Sequence, residues 1–388
     1  RALTHIRTLT APQMAGRETG TPGAEFAARY IADQMAAIGL LPAGDNNTYI
    51  QTLVNPRPHL EQPPTLEILD ANGRSVLSFL YHQDFNERVV PFPCTGEAEG
   101  PVVGLVTAPE AGADDDPYGL GQHHLRDRII LVRETDFEHL SPEVAAGILV
   151  VAEDAADLQR RDLYPQALRG LCRRPIMWIS PQTAEILLAT AGSSLAQLEG
   201  LAADLKIGQS AVTAPGATVR MQILPRESDD ISEAYYNVIG YIPGSGSEVQ
   251  APGGQNLDHY VVMVSAYYDG LGIAPDGAFY PGANDNASGV AALLELARLL
   301  KESPYQPKRT VVFVAWAGGE RREGLSVVNV MNAKTGFSSL TVETVLELSG
   351  VAAGTGTRIA LGEGSSYRLV KLIERAAGRV GVGVTTRG

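Results

Sequence analysis

Between Tyr280 and Leu300 the chain turns from a Gly/Asn-rich stretch, "YPGANDNASG", into a helical repeat. Val290, Leu293, Leu294, Ala297 and Leu300 recur at three- and four-residue steps, which predicts a helix over 287–302 with one buried face. A second helix is predicted in "GTPGAEFAARYIADQMAAIGLLPAG". There Thr21 is placed to cap it, Pro22 suits its first position and Gly39 its end. Its apolar stripe is Ala27, Ile31, Met35 and Ile38. Further helices are expected at 366–378 and near 183–192. Two apolar runs around Ala71-Asn72-Gly73-Arg74, "TLEILDANGRSVLSF", read as a hairpin.

The remaining apolar segments are strand-like and fall into two textures. From about residue 90 to 223, "GPVVGLVTAP", "RIILVRE", "AGILVVAED" and "PIMWIS" are short continuous apolar runs between polar connections. After residue 224, "YYNVIGYIPG", "HYVVMVSAYYDG", "RTVVFVAWAGG" and "TVLELSG" alternate with helices, which predicts a mostly parallel sheet covered on both faces. The expected organisation is therefore an α/β domain of residues 1–89 and 224–388, interrupted by a mainly β domain over 90–223.

Composition narrows the function classes. The 388 residues are 44% hydrophobic and 19% charged, enough apolar content for one large core or two smaller ones. No apolar run approaches the roughly 18 residues of a spanning helix, so none is expected. A net charge of −13 argues against a nucleic-acid partner, which needs clustered Lys and Arg. The compartment stays open. Cys94 and Cys172 are too few for a zinc knuckle or a disulfide framework and read as two unlinked thiols. His123 and His124 read as surface residues of a polar loop.

Chemistry is concentrated at the strand ends, where open α/β sheets collect ligands. Asp269 follows "VVMVSAYY", Asp285 lies in the next loop, Glu320 follows "VVFVAWAGG", and Glu347 lies in "TVLELSG". Four carboxyls so placed repel one another unless a cation or shared protons hold them. They mark either a metal site or four separate caps and solvent-facing acids.

The segments "SAYYDGLG", "PGANDNASG", "FVAWAGGERREGL" and "VLELSG", in that order, resemble the motifs of the co-catalytic zinc aminopeptidases and their exopeptidase relatives. "AGRETGTPGAEFAARYIADQMAAIGLLPAG" resembles that family's first helix, and the middle segment resembles the protease-associated domain inserted in transferrin receptor-like members. The resemblance implies a zinc-exopeptidase-like fold in which Asp285, delivered into the core, bridges two metal ions. Glu320 and Glu347 fall on further metal-ligand positions, and Asp269 on the acid that orients a ligand His.

The carry-over is incomplete. The first His ligand falls on Tyr267, and a neutral phenol is a poor zinc ligand. That leaves Asp269 without a His to orient. The general base falls on Gly319, and the distal His falls beyond Gly388. His259 starts the strand that Tyr267 ends and lies ~26 Å away along it, so it cannot substitute. Oxygen-only ligation suits Mg, Ca or Mn better than zinc. The expected function is a peptidase-family protein with eroded metal and base residues, a pseudo-peptidase that binds a peptide or protein. The alternative is an active metal-dependent aminopeptidase in which Glu320, Glu323 or a residue beyond Gly388 serves as base.

Overall fold

The computed structural model describes residues 1–54, 58–60, 62–88, 94–108, 124–137, 140–163, 172–227, 234–252, 254–320, 331, 337–362 and 366–386. The chain divides into two compact units. The first comprises Arg1–Asn55, Asp230–Ile273 and Phe279–Gly388; the second comprises Pro56–Asp229 and Ala274–Ala278.

The first unit is built on a six-stranded mixed sheet. Its strands run in the order Leu41–Pro42, Tyr235–Ile242, Thr310–Trp316, Tyr260–Tyr267, Thr341–Glu347, and Ile50–Leu53 also pairs with Tyr235–Ile242. The last three strands of that path are mutually parallel. Tyr235–Ile242 runs antiparallel to Thr310–Trp316, so the sheet is less parallel than the strand–helix alternation predicts. Period-2 alternation assigns each side chain of the central strand to a face. Val311, Phe313 and Ala315 pack with the helices Pro22–Ile38 and Ser288–Glu302, through Ala27, Ile31, Met35, Val290, Leu293 and Leu294. Val312, Val314 and Trp316 pack on the other face with Met263, Met331 and Phe337.

The helix signals operate as their chemistry dictates. Thr21 accepts from the Ala24 N–H, Pro22 opens the helix, and Gly39 closes it in the left-handed region at φ 83°. The helix expected at 366–378 spans Tyr367–Arg379 behind its cap Ser366.

The second unit carries a nine-stranded sheet. The apolar runs become the strands Gly96–Ala108, Ile129–Arg133, Gly147–Val151 and Ile176–Ile179, adjacent and parallel. The helix expected near 183–192 spans Pro181–Ala189. The unit begins near residue 56 rather than 90. The hairpin Thr65–Leu69/Ser75–Ser78 hydrogen-bonds to Thr218–Ile223, and Phe85–Glu87 to Ile176–Ile179. These pairings commit segment 56–88 to the second core, which local apolar pattern cannot reveal. His124 is exposed; His123 and Glu323 lie outside the described residues.

Glu87 is 3% exposed in that unit, and its Oε2 has no hydrogen-bond partner among the described residues. Burial pushes its carboxyl from the ordinary 4.5 up to about 7, against the Tyr81 hydrogen bond that lowers it. Folding therefore takes up a proton between those values, and stability falls as pH rises from about 4.5 through about 7. Glu87→Gln removes the ionisation. It should raise stability at pH 8 by on the order of 2 kcal/mol and change little at pH 4.5, as read by thermal unfolding across pH.

Candidate functional site at the strand ends

Because Tyr260–Tyr267, Thr310–Trp316 and Thr341–Glu347 are parallel, with Tyr267 opposite Trp316 and Ser265 opposite Glu347, their carboxyl ends share one sheet edge. The loops leaving that edge carry the predicted residues.

Asp269 is fully buried and holds the turn after Trp316. Its Oδ1 accepts from the Gly319 N–H at 2.9 Å; its Oδ2 accepts from Thr19 Oγ1 at 2.9 Å and from the Glu320 N–H at 3.3 Å. Thr19 Oγ1 in turn accepts from the Gly318 N–H at 3.0 Å. Asp269 thus has a task independent of any imidazole: it orients a backbone turn. Burial raises its pKa, and these donors oppose the rise.

The loop "PGANDNASG" places its two polar neighbours oppositely. Asp285 is exposed, so the expected delivery of its carboxylate into the core is not what is seen. Asn286 takes the interior position. Its Nδ2 donates to Tyr267 O and Leu348 O at 3.1 and 2.9 Å, and its Oδ1 accepts from the Gly289 and Gly350 N–H groups at 3.2 and 3.1 Å. All three strand-end loops are tied by that one amide or by Asp269.

Tyr267 is half-buried, and its phenol donates to Asp285 Oδ1. Burial, the bond to Asp285 and the Asp285 and Glu320 charges hold that phenol above its ordinary pKa, so it is neutral at pH 7. Glu320 is pushed up to about 8, first by burial and then by the Asp269 and Asp285 charges, with Arg17 opposing. Tyr267, Asp269, Asp285 and Glu320 therefore share one electrostatic neighbourhood. Glu347 ends the adjacent strand, exposed, with a carboxyl raised by partial desolvation alone. Among the described residues no group of three His, Cys, Asp or Glu side chains converges as a metal site would require.

Gly319 is tightly enclosed. A Cβ there would lie 2.3 Å from Tyr267 Cβ and 2.4 Å from its Cγ, so the turn has no space for a side chain as it stands.

Residues 237–387 match the model of Peptidase family M28. Over that stretch the chain is similar to M28 peptidases. A probable zinc metalloprotease of Pyricularia oryzae is 35% identical over 134 residues, which cover 31% of this chain and 26% of that protein. A probable zinc metalloprotease of Leptosphaeria maculans is 40% identical over 78 residues, covering 20% of this chain and 17% of that one. The matches thus span about a quarter or less of these relatives' length. Among solved structures, a zinc aminopeptidase from Bacillus subtilis has a TM-score of 0.53 at 18% identity, and an aminopeptidase from Aneurinibacillus sp. strain AM-1 has 0.56 at 16%. Each comparison covers 100% of this chain and 79% of the other. At these identities the likeness is one of fold.

Three residues of this M28-like site carry no predicted role: Thr19, Asn286 and, above all, Arg17. Arg17 is fully buried and donates from Nε to Tyr268 O (2.7 Å), from Nη1 to Leu9 O (2.5 Å) and Pro281 O (2.7 Å), and from Nη2 to Gly282 O (2.9 Å). One fork thus joins the end of the helix Ala2–Leu9 to the loops bearing Asp269 and Asp285. Burial lowers its pKa to about 10, which still leaves it charged at pH 7; Asp269 and Glu320 supply the opposing charge. The sequence signal was available in "AGRETG", a cation among small residues. Gly16 beside it runs at φ +68°, and a Cβ would meet Gly272 O at 2.4 Å.

Arg17→Met strands four carbonyls and should cost about 3–5 kcal/mol in urea unfolding. Arg17→Lys should recover little of that, since an ammonium lacks the planar fork. Gly319→Ala should cost about 1–3 kcal/mol in the same assay, because the turn must move to admit the methyl group.

Proposed function

We propose that the chain keeps a metallopeptidase frame and uses these strand ends to hold a peptide or protein segment without hydrolysing it. The observation that carries this reading is the neutral phenol of Tyr267 bonded to Asp285, at the position where the family resemblance places an imidazole. Gly319, at the base position, supplies no carboxylate and has no room for one. The remaining candidates for metal ligation, Asp285, Glu320 and Glu347, are oxygen donors, which suit Mg, Ca or Mn. Zinc favours nitrogen and sulfur, so the described residues do not fit it. The second unit, read as a protease-associated-like domain, is a further surface for a partner.

A second reading is favoured by Glu320. A carboxyl held near 8 beside other acids has the profile of a proton-transfer group, and the chain is similar to proteins named zinc metalloproteases. In that reading the protein is an active metal-dependent aminopeptidase with Glu320 as base.

Hydrolysis of aminoacyl anilides by the full-length protein separates the two. Under the proposal the rate stays at background with added zinc, and elemental analysis finds less than one zinc per chain. Turnover that chelation abolishes would overturn it. Glu320→Gln should then cut that turnover by about 10²–10⁴.

A further inference from the structure

We propose that Cys94 and Cys172 form a redox-active dithiol in the second unit, one that exchanges with a small disulfide and closes to an internal disulfide. The two residues are far apart in the chain but face each other across a parallel β-bridge, and the Thr95 N–H donates to Cys172 O at 3.0 Å. Residues paired in this way stand on strands about 4.8 Å apart and point to the same face. A disulfide spans Cα separations of about 4.4–6.8 Å, so the backbone need not move to admit the bond. Both thiols are free, and each lies near enough to shift the ionisation of the other.

Their environments differ as attacking and resolving thiols require. Cys94 is 2% exposed, in a core with Val103, Leu105 and Ile130. Cys172 is half-buried and lines an open cleft of about 810 Å³ of mixed charge, with Arg126, Arg173 and Arg174 beside Glu97, Glu99, Asp127 and Glu143. The adjacent Cys94 thiol, with the Arg174 backbone and charge, brings the Cys172 thiol down to about 7 against burial and the Glu143 charge; the Cys94 thiol is driven upward. A reagent in the cleft therefore meets Cys172 first.

The chemistry closes on these two sulfurs and one co-reactant. The Cys172 thiolate attacks one sulfur of the small disulfide and forms a mixed disulfide. The first small thiolate leaves and takes up the proton that Cys172 gave up. Cys94 then attacks the Cys172 sulfur, and its proton passes to the second departing thiolate. Two protein thiols are oxidised to one disulfide, and the small disulfide is reduced to two thiols.

Reduced full-length protein incubated with glutathione disulfide tests this by peptide mapping without reductant. The expected product joins the Cys94 peptide to the Cys172 peptide within one chain. Cys94→Ser, or Cys94→Ala if the serine variant does not fold, should stop at a glutathione adduct on Cys172. Cys172→Ser should slow modification of Cys94 at least about tenfold, since the remaining thiol is buried. The proposal is overturned if both cysteines of the unaltered protein stay free, if they carry separate adducts, or if Cys94 reacts as fast in Cys172→Ser as in the parent.

Discussion

A fully buried guanidinium sets the geometry of the strand-end loops in the first unit. Arg17 gives its N–H groups to four backbone carbonyls drawn from the end of the helix Ala2–Leu9, the segment after Tyr267 and the loop before Asp285. A buried cation is costly to leave unpaired, so these segments are held wherever the planar fork can reach them all. Asp269 and Glu320 balance the charge at longer range. The backbone next to Tyr267 and the loop before Asp285 are fixed by that constraint, while Thr19 and Asp269 hold the 318–320 turn.

At the same site the groups that hold the frame are distinct from those that face the loop surface. The scaffold groups are backbone-directed: Arg17 to carbonyls, Asp269 to N–H groups, Asn286 to both. None of those bonds needs a metal to be satisfied. The groups that would meet a ligand are instead paired or raised in pKa, with Tyr267 bonded to Asp285 and Glu320 pushed up to about 8. Fold and chemistry are thus maintained by different residues, and one can change without collapsing the other.

The second unit has its own apolar clusters. The strands Ile129–Arg133, Gly147–Val151 and Ile176–Ile179 are apolar on both faces and lie parallel and adjacent within its sheet. Strands buried on both faces read as continuous apolar runs, which is why they were recognisable from sequence as strands.

Local chemistry determined much of this protein. Thr21, Pro22 and Gly39 bound a helix through their own backbone preferences, the periodic apolar residues of 288–302 select the buried face, and the quoted motifs locate the strand-end acids. Tertiary structure alone decided the rest, because the partners are distant in the chain. It joined segment 56–88 to the second sheet, turned Asp285 outward and Asn286 inward, and gave Asp269 a turn to hold. It also opposed Cys94 to Cys172 and closed four carbonyls around Arg17. Hydrogen-bond satisfaction of buried groups is a property of the assembled interior, and no window of the sequence contains it.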